Sequence, residues 1–199
     1  MDWWEIEKAF FERGFSMICG VDEAGRGPLA GPVIAAAVIL PKGLRIKGLD
    51  DSKKLSPKRR EAIYDVIAQK AVCWAAEYAT VDEIESLNIL NAAQLAMRRA
   101  VSRLKLAPDL ALVDGNIVRD FPMEAHPVVG GDRKSASVAA ASVIAKVTRD
   151  RMMCVLAERY PQYAFERHKG YGTALHYERL RAYGPCPAHR LSFLRGAAL

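Results

Sequence analysis

Gly20-Val21-Asp22-Glu23-Ala24-Gly25-Arg26-Gly27-Pro28 is the stretch from which the rest of the chain can be read. It follows the apolar run Met17-Ile18-Cys19, so a strand over Met17 to Asp22 ends on two adjacent acids. Neighbouring carboxylates repel each other, and a fold rarely places them together without a cation to share. Hard divalent cations take oxygen ligands of this kind. Gly25 and Gly27 let backbone amides approach a ligand, and Arg26 between them can fork onto a phosphate. These nine residues therefore point to metal-assisted chemistry on a phosphodiester. A surface turn with incidental charges is the alternative, and only the rest of the chain separates the two.

The next apolar run, Val33 to Leu40, closes at Pro41 and reads as a buried strand. Ser56-Pro57 has the cap-then-proline order of a helix start, and the helix extends to about Lys70. Ala71 to Thr80 reads as a third strand. A helix over Asn88 to Lys105 follows, with Leu90, Leu95, Met97, Val101 and Leu104 on its buried side. Leu110 to Val113 is a short strand that delivers Asp114, and Pro127-Val128-Val129 is another. Ser135 to Tyr160 is mostly helix, opening on small residues that allow close packing on a sheet. A last helix covers about Thr173 to Tyr183. Near the N-terminus, Asp2 caps a helix that ends at Gly14, where Trp3, Ile6, Phe10 and Phe11 recur at packing intervals. Consecutive early strands and later strand–helix alternation predict an α/β fold: a mixed sheet flanked by helices. With 199 residues and no linker or repeat, the expectation is one domain over 1–199, with a C-terminal helical lobe from about 155.

Asp22 and Asp114 both end strands. If those strands are parallel neighbours, their carboxylates meet at one sheet edge, where α/β proteins commonly hold ligands. Glu23 joins them only if the chain has left regular strand geometry there. Asp132, in Gly130-Gly131-Asp132, stands before the long helix, where it is either a fourth ligand or simply the helix cap. Four acids without a His or Cys cluster favour Mg²⁺ or Mn²⁺ over zinc. Two such ions about 3.5–4 Å apart activate a water and stabilise a leaving oxygen. Cys186 and His189 have zinc-ligand spacing, but no second pair completes a site.

Lys plus Arg exceed Asp plus Glu to give a net charge of +6, mildly suited to a polyanionic partner. No apolar run reaches the roughly 20 residues of a membrane span. The start Met1-Asp2-Trp3-Trp4-Glu5 lacks the pattern of a signal peptide. The four dispersed cysteines favour reduced thiols and a cytoplasmic location.

The order of seven blocks resembles bacterial ribonuclease HII, the type 2 ribonuclease H. They are Gly20–Pro28, Asp51-Ser52-Lys53-Lys54-Leu55, Leu87-Asn88-Ile89-Leu90, Val113-Asp114-Gly115-Asn116, Gly130-Gly131-Asp132, Ala140 through Asp150, and His168-Lys169-Gly170-Tyr171-Gly172. Together they span about residues 18 to 193. The resemblance implies a ribonuclease H-like fold and a metal-dependent endonuclease. It would cut RNA in RNA/DNA hybrids and at single ribonucleotides embedded in duplex DNA, leaving 5′-phosphate and 3′-hydroxyl ends. It places the metal-binding acids at Asp22, Glu23, Asp114 and Asp132, the junction-reading turn at Gly25, Arg26 and Gly27, and the ribose-packing tyrosine at Tyr171. It also lifts Ser52, Lys53, Lys54, His168 and Lys169 as substrate-binding candidates. Without the resemblance, Ser52 is equally a turn stabiliser, the lysines solvated charges and Tyr171 a loop tyrosine. Arg149 and Arg151 read as a solvated helix face, and Asp150 as an ion-pair partner or a support for the site. Two departures stand out: Asp50 before Asp51, and Leu191 within a tail that relatives often write His-Arg-Arg-Ser-Phe. The second puts any role of that tail in doubt. A DNA-junction nuclease and a binding module without catalysis remain as competitors. The full set of acids speaks against the module, and Gly25-Arg26-Gly27 with Tyr171 against a pure DNA nuclease. A monomer is expected, and recruitment by a replication clamp leaves no mark in the sequence.

Overall fold

A computed structural model describes residues 3–50, 52 and 55–195. Lys53, Lys54, Asp51 and the expected Asp2 cap lie outside the described residues. The apolar runs form strands as their composition dictates: β1 (Ile18–Ala24), β2 (Val33–Ile39), β3 (Cys73–Ala79) and β4 (Leu110–Asp114). The fifth, β5 (Glu124–Val128), starts three residues before the expected Pro127, on Glu124, Ala125 and His126, which are held by pairing with β4. They lie side by side in the order β3-β2-β1-β4-β5. β1 is antiparallel to β2, and β2 to β3. β4 joins the other side of β1 in parallel, and β5 joins β4 in parallel. The first three strands are thus a meander, and the last two enter by crossovers. Pro127 sits within β5, an edge strand where a missing N–H is tolerated.

One face of the sheet carries α4 (Ile89–Ser102), the other α5 (Ala136–Arg159). Every residue of β2 is buried because both faces are covered. α4 meets the sheet through Ala92, Ala93, Ala96 and Ala100 with Met97 and Val101. The expected leucines are at its margins: Leu90, Leu95 and Leu104 are only half-buried. Small side chains win the central positions because they let the helix axis approach the sheet. α1 (Glu5–Glu12) and α2 (Pro57–Lys70) complete the α5 side. Glu7 is buried, and its Oε1 accepts from the Ser135 and Ser137 hydroxyls at the start of α5 (2.6 and 2.8 Å). α3 (Val81–Leu87) was not foreseen, although Thr80 and Glu83 form a reciprocal capping box that the sequence displays. Assigning Thr80 to the preceding strand hid it; β3 ends at Ala79.

α5 runs unbroken beyond the sheet into a helical lobe with α6 (Phe165–His168), α7 (Ala174–Tyr183) and α8 (Leu191–Leu194). Met153, Tyr163, Phe165 and Leu180 form the lobe's core, together with Leu29 and Ala30 from the β1–β2 connection. That connection leaves the sheet edge, is built into the lobe, and returns. A bridge pairs Ala30 with His189.

At Gly20 the main chain of α5 lies directly against β1. A Cβ there would stand 2.0 Å from the Ser137 carbonyl carbon and 2.2 Å from the Val138 nitrogen, both main chain. Main chain cannot swing aside as a side chain can, so Gly20→Ala must push α5 off the sheet. The expected loss is about 1–3 kcal/mol, read as a lower urea midpoint. A loss within about 0.5 kcal/mol, typical of a surface change, would contradict this packing.

Candidate active site

The β1–β4 register places Val21 opposite Val113. One residue further on stand Asp22 and Asp114, on parallel strands that run about 4.8 Å apart. Both project on the α5 side, as Gly20 and Leu112 do two residues earlier. Asp22 is buried, Asp114 half-buried. Burial first, then the charges of Glu23 and Asp114, push Asp22 well above the usual carboxylate range. The Glu23 N–H donates to Asp22 Oδ1 (2.7 Å) and the Ser142 hydroxyl also donates to Asp22; both oppose that rise.

Glu23 arrives differently from the expectation. β1 does not break before it: Glu23 pairs with Ala35 and Ala24 with Ile34, so regular strand geometry persists to Ala24. Glu23 therefore emerges on the α4 side, in line with Val21. It lines a cavity of about 170 Å³ with Asp114, Asn116, Gln94 and Arg26. Arg26 Nη1 lies 3.4 Å from Glu23 Oε1. The three acids surround the end of the sheet from both faces.

Asp132 lies in a single 3-10 turn, Gly131–Arg133, just before α5. It is not the cap of α5. Ser135 is, accepting from the Val138 N–H (3.2 Å). Asp132 is buried, and its neighbour Gly131 donates its N–H to Asp114 Oδ1 (2.7 Å). The loop before α5 is thereby tied to the acid group. Among the described residues no three His, Cys, Asp or Glu side chains already close around one point. The donors are all carboxylate oxygens, and Glu23 and Asp114 raise the proton affinity of Asp22. A hard divalent cation fits that set.

The turn after Ala24 begins with Gly25 at φ +103°, a conformation that suits glycine. Gly25 is buried, whereas Arg26 and Gly27 are exposed. Beneath the turn lie two guanidinium groups, Arg149 and Arg190, each 0 % exposed. Arg190 donates to the carbonyls of Gly25 (2.6 Å), Arg26 (3.0 Å) and Gly31 (2.9 Å). Arg149 donates to those of Ala30 (3.1 Å), Pro32 (3.2 Å) and Lys169 (3.0 Å). The solvated-face reading of Arg149 is thus corrected: it points into the seam between α5 and the β1–β2 connection. Arg190 belongs to the tail whose role the sequence left in doubt. Leu191, the departure there, is 56 % exposed and leaves Arg190 in place. No local sequence signal marks a buried arginine bonded to carbonyls, because its acceptors are main chain and distant in sequence.

Tyr171 is 42 % exposed, and its ring edge faces Gly27, whose added Cβ would lie 3.9 Å from it. The Leu29 N–H donates to the Gly170 carbonyl (2.8 Å), stitching the two segments together. Under Tyr171 lies a stack of histidines. His176 Nδ1 bonds to the Tyr171 carbonyl (2.9 Å), and its Nε2 meets His189 Nε2 (3.1 Å). His168 stacks on His176 at 4.3 Å. Burial pushes His176 and His189 down to about 4, so both are neutral near pH 7. His168 is itself buried: one ring nitrogen faces the Tyr163 carbonyl (2.9 Å), and the other accepts from the Gly170 N–H (3.2 Å). Its ring is held against the loop that leads to Tyr171. The adjacent Lys169 reaches Cys154 Sγ (3.1 Å).

Ser52 is buried, its hydroxyl 2.7 Å from that of Ser142, which in turn donates to Asp22. It stands behind the acids. Arg60 fixes the same segment by donating to the Ser52 and Leu55 carbonyls (2.7 and 2.8 Å). Asp150 is the ion-pair partner expected of it, with Lys146 at 2.6 Å and Arg60 at 3.4 Å.

A mixed sheet whose two parallel central strands carry acids near their C-terminal ends, with a small-residue helix across one face, defines a ribonuclease H-like nuclease. The model of the family "Ribonuclease HII" matches residues 19–196. The chain is 51% identical to the ribonuclease HII of Acetivibrio thermocellus over 95% of its own length and 74% of that protein's. It is 55% identical to that of Burkholderia vietnamiensis over 92% and 85%. Among solved structures, that of the PCNA:RNase HII complex from Archaeoglobus fulgidus matches with a TM-score of 0.76 and 26% identity, covering 88% of this chain and 94% of that one. The chain belongs to the ribonuclease HII family, and its activity is that of a ribonuclease H, an endonuclease acting on RNA/DNA hybrids. Divalent-metal dependence is general to that family.

The crowding of Asp22 has a measurable sign. A carboxyl whose folded value is raised destabilises the fold above that value, and the penalty disappears as pH falls below the unfolded value. Asp22→Asn should therefore stabilise the protein in EDTA at pH 7.5, by about 1 kcal/mol, with the difference shrinking toward pH 4. Thermal melts at both pH values check this. A mutant no more stable than the parent at pH 7.5 would mean that the three acids do not load one another.

Proposed function

We propose that Asp22, Glu23 and Asp114, with Asp132 from the loop before α5, hold Mn²⁺ or Mg²⁺ and carry out the cleavage. When bound, the ions supply an activated water and a counter-charge for the leaving oxygen. The observation that carries this reading is the β1–β4 register, which loads Asp22 with its neighbours' negative charge. Ser142, backed by Ser52, and the Glu23 N–H hold the Asp22 carboxylate in one orientation. The Gly131 N–H does the same for Asp114. Neither carboxylate then has to reorganise when substrate arrives.

Beside the acids, the exposed Arg26 and Gly27 with Tyr171 form a ledge suited to a sugar-phosphate backbone. An exposed aromatic can pack on a ribose and sense its 2′-OH. This supports cleavage at single ribonucleotides in duplex DNA as well as in longer hybrids, with a 5′-phosphate and a 3′-hydroxyl as products. Lys169 at the lobe, and Lys53 and Lys54, are proposed phosphate contacts. Residues 1–199 act as one domain with the lobe from about 155, because α5 and the β1–β2 connection belong to both halves. The protein acts as a monomer in the cytoplasm. Its four free cysteines suit a reducing compartment, and no helix among the described residues is long and apolar enough to cross a membrane. The archaeal relative's complex with PCNA supports recruitment by a replication clamp.

Asp114→Asn should lower cleavage of a duplex bearing one ribonucleotide by at least about a hundredfold. Filter binding to that duplex should change little, because phosphate contacts lie elsewhere. EDTA should stop the parent, and an all-DNA duplex should remain intact. Near-normal turnover by the mutant would remove the metal assignment; cutting of the all-DNA duplex would favour a DNA nuclease.

A further inference from the structure

Arg149 and Arg190 are the two largest fully buried side chains, and their hydrogen bonds go to six main-chain carbonyls. Five of those carbonyls lie between residues 25 and 32; the sixth is that of Lys169, two residues before Tyr171. Burying two like charges side by side is costly. Desolvation, then the charge of Arg149, pushes Arg190 down to about 9. Where packing alone is needed, apolar residues of the same volume serve as well or better. What only a planar fork supplies is several donors at fixed angles.

The angles matter because of the peptide plane. In a trans peptide the C=O of one residue and the N–H of the next point in opposite directions, and no cis peptide occurs among the described residues. Arg190 draws the Gly25 and Arg26 carbonyls inward. The N–H groups of Arg26 and Gly27 are thereby aimed outward, at the exposed face of the turn beside Tyr171. Arg149 fills the space under Gly25, where a Cβ would meet its Nε at 2.1 Å. Its guanidinium carbon also lies 5.8 Å from the centre of the Tyr171 ring.

We propose that Arg149 and Arg190 are positioning residues for ribonucleotide selection: they aim the Arg26 and Gly27 amides at the substrate and fix their distance from Tyr171. The proposal rests on the reading of that ledge given above. A lysine has one ammonium and cannot span carbonyls that a guanidinium reaches with three nitrogens.

The test is a double-mutant cycle on a duplex with one ribonucleotide, scored as kcat/KM per folded molecule well below the melting temperature. Arg190→Lys and Tyr171→Ala should each lower kcat/KM tenfold or more. The double mutant should stay within about threefold of the worse single mutant, as expected of residues that act as a unit. Effects that multiply, or a normal rate for Arg190→Lys beside a slow Tyr171→Ala, would overturn the proposal alone. A normal rate for Tyr171→Ala would overturn the ledge reading and the proposal with it. Amide exchange in the parent decides the matter even if the variants do not fold. In substrate-free protein, Leu29 and Gly31, bonded to the Gly170 and Ala188 carbonyls, should exchange slowly, and Arg26 and Gly27 fast. Adding the same duplex in EDTA should slow Arg26 and Gly27. Protection of those two amides before substrate is added, or no change after it, would overturn the proposal.

Discussion

Parallel pairing of β1 with β4 forces Asp22 and Asp114 into each other's field, and most of the molecule can be understood as making that tolerable. Two carboxylates one strand spacing apart, one of them buried, cannot both ionise freely without a cation. Hydrogen bonds from Ser142, the Glu23 N–H and the Gly131 N–H offset part of the repulsion and fix the orientation of the oxygens. The small residues of α5 serve the same end. Gly20 with Ala139, Ala140 and Ala141 brings the helix close enough for Ser142 to reach Asp22. The loop carrying Asp132 is delivered by the same helix.

A second polar system governs the other half of the site. The β1–β2 connection leaves the acids, enters the lobe and returns, so its shape cannot come from the sheet. Arg149 and Arg190 define it from below, and the neutral histidine stack of His168, His176 and His189 supports the Tyr171 loop. Each nitrogen of His168 and His176 has a partner, which lets polar groups be buried without lasting cost. The acids and the proposed ledge are then joined through α5, whose Ser142 reaches Asp22 and whose Arg149 reaches the β1–β2 connection.

β1, β2 and β4 were legible because each grows from a short apolar run closed by proline, glycine or acid. β5 was only half legible, because it opens on Glu124-Ala125-His126, which is no apolar run, and the expected strand began at Pro127. Ser56-Pro57 announced its helix by capping chemistry, and that cap is made as expected. Asn88, read as the first residue of its helix, is its cap instead. The acids were legible because Asp22 and Asp114 each follow such a run, and parallel pairing does the rest. What escaped depends on contacts distant in sequence. Glu23 stays in strand geometry because Ala35 and Ile34 of β2 continue to pair opposite it, which no local rule foretells. Arg149 looks like any helix-face arginine until the carbonyls of residues 30 and 32 are brought to it by a connection that starts more than a hundred residues earlier. Ser52 reads as a turn residue, and its line to Asp22 through Ser142 exists only after α5 has docked. α3 was missed for a different reason: Thr80 suits a strand end and a helix cap equally, and the strand reading consumed the cap.

The central claim is that the fold itself, before any nucleic acid arrives, gathers these acids into one cation site. Paramagnetic broadening of backbone NMR signals by substoichiometric Mn²⁺ in the free protein tests it most directly. The account predicts that broadening begins at residues 22, 23 and 114 and at the 131–132 turn, and that excess Mg²⁺ reverses it. Broadening that starts elsewhere on the surface, or that spares Asp22 and Asp114, would contradict it.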